Sequence, residues 1–175
     1  HTPMKSFVLT AVVAIVSALM PQMALADVWT TQYKDIERQI VAPTFADQAF
    51  PITKYGAKTT NTAAKNQKAI NKAIATCSKK GGGRVVVPAG VWDTGAITLL
   101  SNVNLVVEEG ATLHFVFDRD LYPNVLTRWE GLDCWNYQPC IYAYGEKNVA
   151  ITGQGTIDGG ATEETWWLMS GKKHD

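Results

Sequence analysis

Between residues 81 and 113 the chain reads GGGRVVVPAGVWDTGAITLLSNVNLVVEEGATL, and this stretch leaves few folds open. Four short apolar runs, Val85–Val87, Val91–Trp92, Ile97–Leu100 and Val103–Val107, are rich in β-branched residues that suit a pleated surface. Their separators, Pro88-Ala89-Gly90, Thr94-Gly95 and Ser101-Asn102, are turn formers. Corners this short leave no room for crossover helices, which argues against a doubly wound sheet. A small sandwich or a coil of strands remains.

A repeat favours the coil. Asn102-Val103-x-Leu105 with Gly110-Ala111-Thr112-Leu113 returns as Asn148-Val149-x-Ile151 with Gly155-Thr156-Ile157, 46 and 45 residues later (102 to 148 and 110 to 155). With roughly 20–25 residues per coil, this offset reads as two turns. Asn and Gly at the corners tolerate left-handed backbone. Before the strands, Phe50–Ala57 reads as a first strand ending at a Gly turn. Ala69, Ile70, Ala73, Ile74 and Cys77 then recur on one helical face, with Asn61 or Thr62 placed to cap its start and Lys79-Lys80 before Gly81 at its end. Such a helix can cover the open apolar end of a first coil. The expected fold is all-β: a solenoid of strands with an N-terminal α-helical cap.

The N-terminus has the pattern of an export signal. Lys5, the apolar run Phe7–Leu19 and Ala24-Leu25-Ala26 form the charged, hydrophobic and small-residue parts, so residues 1–26 are read as a signal peptide, with His1-Thr2-Pro3 upstream of Met4. Residues 27–175 are read as the N-terminal part of a single domain. The expected location is secreted or periplasmic, with no membrane association after cleavage. Cleavage leaves 15 basic groups against the 16 acidic ones. No basic excess marks a nucleic-acid binder, and an acidic ligand would have to be held by local cations. Of the three cysteines, Cys77 lies on the apolar helix face, while Cys134 and Cys140 are spaced to permit a disulfide. No Cys-x-x-Cys or His cluster suggests a metal, and no cofactor is expected.

Residues 114–140 break the regular pattern with a dense mixture of aromatic and charged side chains. They read as a long irregular loop, the kind of insertion that carries function. Short strands resume at Ile141–Tyr144 and Val149–Ile151. Residues 168–175 show no cap pattern, so the coil is expected to run on past Asp175.

The ordered set Ile52-Thr53-Lys54-Tyr55-Gly56-Ala57, Gly81-Gly82-Gly83-Arg84-Val85-Val86-Val87-Pro88-Ala89-Gly90, Glu109-Gly110-Ala111-Thr112-Leu113, Thr127-Arg128-Trp129-Glu130-Gly131, Asn148 to Gly159 and Trp166-Trp167 resembles the N-terminal part of glycoside hydrolase family 28, the polygalacturonases. The resemblance covers roughly residues 50–170, and Thr127–Gly131 is most similar to the exo-acting bacterial type. It implies a right-handed parallel β-helix, monomeric when full length, that hydrolyses α-1,4 bonds of polygalacturonate in pectin with inversion. The family's Asn-Thr-Asp, Asp-Asp, Gly-His-Gly and Arg-Ile-Lys motifs are absent. Asn61-Thr62-Ala63 lacks the carboxylate, and Asp158 reads as a turn cap. No catalytic residue is assigned.

Arg128, Trp129 and Glu130 are the candidate substrate-binding residues. A guanidinium can grip a uronate carboxylate through two hydrogen bonds, an indole can face a sugar ring, and Glu130 can accept a hydroxyl or orient Arg128. The competing reading is that the three staple a loop to the coil. Trp166 and Trp167 read as core or lid residues. A non-catalytic carbohydrate-binding or adhesin-like β-helix is the alternative function. A calcium-dependent lyase is disfavoured by the lack of clustered acids.

Overall fold

The computed structural model describes Trp29 and residues 32–169; the expected signal segment lies outside the described residues. The chain divides into residues 1–42 and 43–175. In the first unit a short helix, α1 (Tyr33–Gln39), carries an Asp35–Arg38 ion pair at 3.0 Å and buries none of its residues.

The second unit holds the core. Its elements run β1 (Ala49–Pro51), α2 (Ala63–Lys79), β2 (Gly83–Val87), β3 (Gly90–Thr94), β4 (Ile97–Thr98), β5 (Val103–Val107), β6 (Ala111–Phe115), β7 (Asn124–Trp129), β8 (Leu132–Tyr137), β9 (Ile141–Tyr142), β10 (Ala150–Gly153) and β11 (Thr156–Asp158). Three parallel ladders result: β1-β2-β5-β10, β3-β6-β11 and β4-β9. Among the described residues only β7 and β8 pair antiparallel. The expected first strand is shorter than its sequence suggests. After Pro51 the backbone tightens into a 3₁₀ turn over Ile52–Tyr55, which Gly56 ends at φ 100°.

The register stacks like on like. Val85 lies beside Leu105 and Leu105 beside Ile151; Trp92 lies beside Leu113 and Leu113 beside Ile157. This stacking corrects the expected two-turn repeat. The first step in the ladder is 20 residues (Arg84 to Asn104) and the next is 46 (Asn104 to Ala150), so one step separates the two motif copies. The extra length is taken up by the β7–β8 hairpin, which leaves the ladder and returns to it. The corner reading holds: Asn102 and Asn148 adopt φ 65° and 55°. Asn148 Nδ2 donates to Asn102 Oδ1 at 3.2 Å and to the Thr44 carbonyl at 2.7 Å. At the next corner Gly153 has φ 107°, and a Cβ there would lie 1.9 Å from the Val107 carbonyl oxygen. Both the angle and the close approach require glycine.

Helix α2 buries Ala69, Ile70, Ala73, Ile74 and Cys77, the stripe its periodicity predicts, against β2 and β3. Thr62 stands at its N-cap without a side-chain capping bond, and Lys80 closes it. The helix also supplies amides to backbone groups of the neighbouring strand edge. Asn71 Oδ1 accepts from Thr98 N at 2.9 Å, and Gln67 Nε2 donates to the carbonyls of Ala96 and Leu121 at 2.9 and 2.7 Å. Asn66 is fully buried and joins three segments. Its Oδ1 accepts from Lys58 N and Asn61 Nδ2, each at 3.1 Å, and its Nδ2 donates to the Asp93 carbonyl at 3.0 Å. All three cysteines are free thiols, so the disulfide considered for Cys134 and Cys140 is not formed. Burial pushes the Cys77 thiol up to about 11.

An unmet buried hydrogen-bonding group costs about 1–3 kcal/mol. Asn66→Ala orphans the Lys58 amide and the Asp93 carbonyl, so urea unfolding should show a loss of at least about 2 kcal/mol; an unchanged midpoint would remove Asn66 from the framework.

Candidate functional site

The segment expected as an irregular loop is an ordered hairpin. Its two-residue turn is Glu130-Gly131, at φ 47° and 90°, the all-positive geometry that matches the twist of paired strands. A Gly after one turn residue, between Trp129 and Leu132, is the signal that identifies it in the sequence. The hairpin is pinned at its base. Gln138, buried, sends Nε2 to the Ile97 carbonyl at 3.2 Å and to Thr98 Oγ1 at 3.0 Å, while its amide N donates to the Pro123 carbonyl at 2.8 Å. Tyr142 Oη donates to the Leu126 carbonyl at 2.7 Å, tying β7 to β9. Beside the base, Trp166 meets Phe117 and Tyr122 edge-on at 4.8 and 5.0 Å. Trp166 is thus a packing residue, whereas Trp167 is half exposed. Burial, then the nearby Cys140 and Asp118, raise the Tyr122 hydroxyl pKa, and burial likewise raises that of the Cys140 thiol.

Between hairpin and β9 lies a groove of 420 Å³ whose lining includes Arg128, Asp133, Tyr142 and Tyr144. Arg128 and Asp133 are cross-strand partners, with Nε and Oδ1 at 3.9 Å. Arg128 Nε and Nη2 donate to the Gly131 carbonyl at 3.2 and 3.1 Å, which orients the exposed guanidinium and leaves both Nη1 protons and one Nη2 proton to face a ligand. The Tyr142 and Tyr144 rings are nearly parallel, 11° apart with centroids at 6.4 Å. A fixed guanidinium beside aromatic faces suits a carboxylated sugar.

The three candidate residues, consecutive in sequence, are separated by strand alternation. Arg128 lines the groove. Trp129 pairs with Leu132 on the other face of the hairpin, and the two are 65% and 74% exposed. Glu130 occupies the turn, and Arg128 is oriented by Gly131 and Asp133 in place of it. Asp133, Tyr142 and Tyr144 were not singled out by the sequence; only the ladder brings β9 beside the hairpin.

Asp133 is the sole carboxylate lining the groove. Inverting hydrolysis uses two carboxyl groups, about 6.5–9.5 Å apart, and among the described residues this groove is lined by one. On another face Asp93, His114 and Asp158 stand in one register column. Their side chains are engaged structurally: Asp93 Oδ1 lies 2.8 Å from His114 Nδ1, and Asp158 Oδ1 accepts from Gly160 N at 2.9 Å, the turn-capping role expected for Asp158. Among the described residues no group of three or more His, Cys, Asp or Glu is arranged to hold a metal, and no helix is long and apolar enough to cross a membrane.

No family model matches the chain. Its sequence is 33% identical over 137 residues to an exo-poly-alpha-D-galacturonosidase of Dickeya chrysanthemi, covering 74% of this chain and 22% of that protein. Among solved structures, a hyperthermoactive exopolygalacturonase from Thermotoga maritima matches with a TM-score of 0.72 and 40% identity, over 79% of this chain and 32% of that one. A family 28 exopolygalacturonase of Yersinia enterocolitica matches with a TM-score of 0.57 and 31% identity, over 65% and 21%. The chain therefore spans between about a fifth and a third of the length of these relatives.

The Tyr142 hydroxyl ties β7 to the ladder alongside the Gln138 amide at the base, and a hydrogen bond of this kind contributes about 0.5–1.5 kcal/mol. Tyr142→Phe should lower stability by that amount and speed amide exchange across residues 124–137; exchange identical to the parent would show that the hairpin is held elsewhere.

Proposed function

We propose, from the premise that this chain belongs to glycoside hydrolase family 28, that it is the N-terminal part of a secreted or periplasmic polygalacturonase. On this reading residues 1–26 are its signal peptide and residues 27–175 the first part of a single right-handed parallel β-helix domain. The complete protein is a monomer that hydrolyses α-1,4-galacturonosidic bonds of pectin with inversion, through carboxylates carried by coils beyond this chain. The kinship with enzymes named for that activity supports the reaction and the substrate.

The observation that carries the reading is the pair of apolar columns. Val85 and Leu105 are fully buried, yet Ile151, next in register, is 45% exposed; Trp92 and Leu113 are buried, and Ile157 is 45% exposed. A further coil laid on β10 and β11 would bury what is still exposed of both isoleucines, for each roughly half of the 1.5–3 kcal/mol that complete burial of such a side chain brings. It would also pair the open strand edge.

Within the enzyme, Arg128 holds the carboxylate of a galacturonate unit, Tyr142 and Tyr144 face its ring, and Asp133 keeps the guanidinium in place. Trp129 and Glu130 form the outer rim at the hairpin tip. The test is an assay of the complete protein on polygalacturonate, with the anomer of the first product read by NMR. Arg128→Ala should lower kcat/KM tenfold or more, as expected for loss of a charge-assisted bond of about 1.5–3 kcal/mol. Wild-type kinetics in that variant would remove Arg128 from the site, and no release of galacturonate by the parent would overturn the reading.

A further inference from the structure

The charge of the chain is balanced in total and divided in space. Residues 48–92 contain eight basic side chains, half of the 16 in the chain, and no Asp or Glu at all. Four of them, Lys58, Lys65, Lys68 and Lys72, line one cleft of 480 Å³ together with Tyr55 and Asn61. Three stand on α2 at spacings of three and four residues, which places them along one helical face. The span from Lys65 to Lys72 is about 10 Å at the helical rise. All four lysines are exposed, and none has a carboxylate partner within ion-pair distance among the described residues.

This row has no structural use of its own. The apolar face of α2 is buried on the opposite side, its amides serve β3 and β4, and like charges at such spacing cost helix stability by a few tenths of a kcal/mol per pair. We propose that the cleft is a second polysaccharide site: a docking track for an unesterified polyuronate chain, separate from the hairpin groove, with which it shares no residue. The inference rests on the polygalacturonase reading for its choice of polyanion. Ammonium groups are point charges that accept a repeating carboxylate without demanding a fixed bidentate geometry. Tyr55 offers a ring for a sugar to lie against. A track of this kind would hold the enzyme on its polymer and raise the local substrate concentration without taking part in cleavage.

The test uses the complete protein and a variant in which Lys58, Lys65, Lys68 and Lys72 are all changed to Gln, a surface change that leaves the core untouched. Binding is read as retention on immobilised polygalacturonate across a salt series, with fully methyl-esterified pectin as the uncharged control. Four surface charge pairs of modest individual strength should together change the dissociation constant roughly tenfold or more. The variant should lose at least that much affinity for polygalacturonate, lose part of the salt dependence, and hydrolyse a short galacturonide at the parental rate. Unchanged retention of the variant would overturn the track and leave the hydrolase reading standing. A parent that binds polygalacturonate through these lysines but cleaves no galacturonide would keep the track and overturn the hydrolase reading. Tighter lysine-dependent binding to RNA or to phosphatidylserine vesicles than to polygalacturonate would assign the row to a different polyanion and overturn the proposal.

Discussion

The structure depends on register: each parallel strand sets its apolar residues beside those of the strand before it. Val85 against Leu105 and Trp92 against Leu113 remove large side chains from water in continuous columns, and a slip of one residue would turn every one of them outward. The corners enforce this register. Asn102 and Asn148 share the left-handed conformation and are joined by their side-chain amides, so successive rungs begin at the same level. The second rung accommodates the β7–β8 hairpin while all three ladders keep their parallel pairing.

That tolerance is what permits a site. The hairpin emerges between β6 and β9, is anchored at its base through Gln138 and Tyr142, and carries Arg128 and Asp133 over the tyrosines of the returning strand. At the base Gln138 is buried and hydrogen-bonded, and at the tip Trp129 and Leu132 are exposed. Helix α2 solves a different problem. It covers the first strands with an Ile/Ala stripe, supplies Asn66, Gln67 and Asn71 to backbone groups lacking sheet partners, and turns a row of lysines outward. Its outer face is therefore free to carry charge without cost to the core.

Much of this was legible in the residues because local rules and tertiary needs agree there. The apolar stripe of α2, the β-branched runs and the asparagine corners follow from periodicity and turn chemistry. The failures have identifiable causes. The 46-residue offset suggests two turns because period arithmetic cannot see an insertion that returns to the same rung. The hairpin carries no periodic signal because its polar and aromatic residues face a groove and solvent, so no buried face imposes alternation. Arg128, Trp129 and Glu130 were grouped because they are adjacent in sequence, whereas a strand sends neighbours to opposite faces. Asn66 looks like an ordinary polar residue on a helix; only the fold brings Lys58 and Asp93 to it.

On the proposed reading the apolar columns continue past Ile151 and Ile157 into further coils of the same protein. Hydrogen exchange of the complete gene product, followed at the amides of residues 150–158, tests it most directly. A continuing coil requires those amides to be protected as strongly as residues 103–107, which lie between two paired strands. Exchange at the rate of an open edge, with 103–107 still protected, would contradict it.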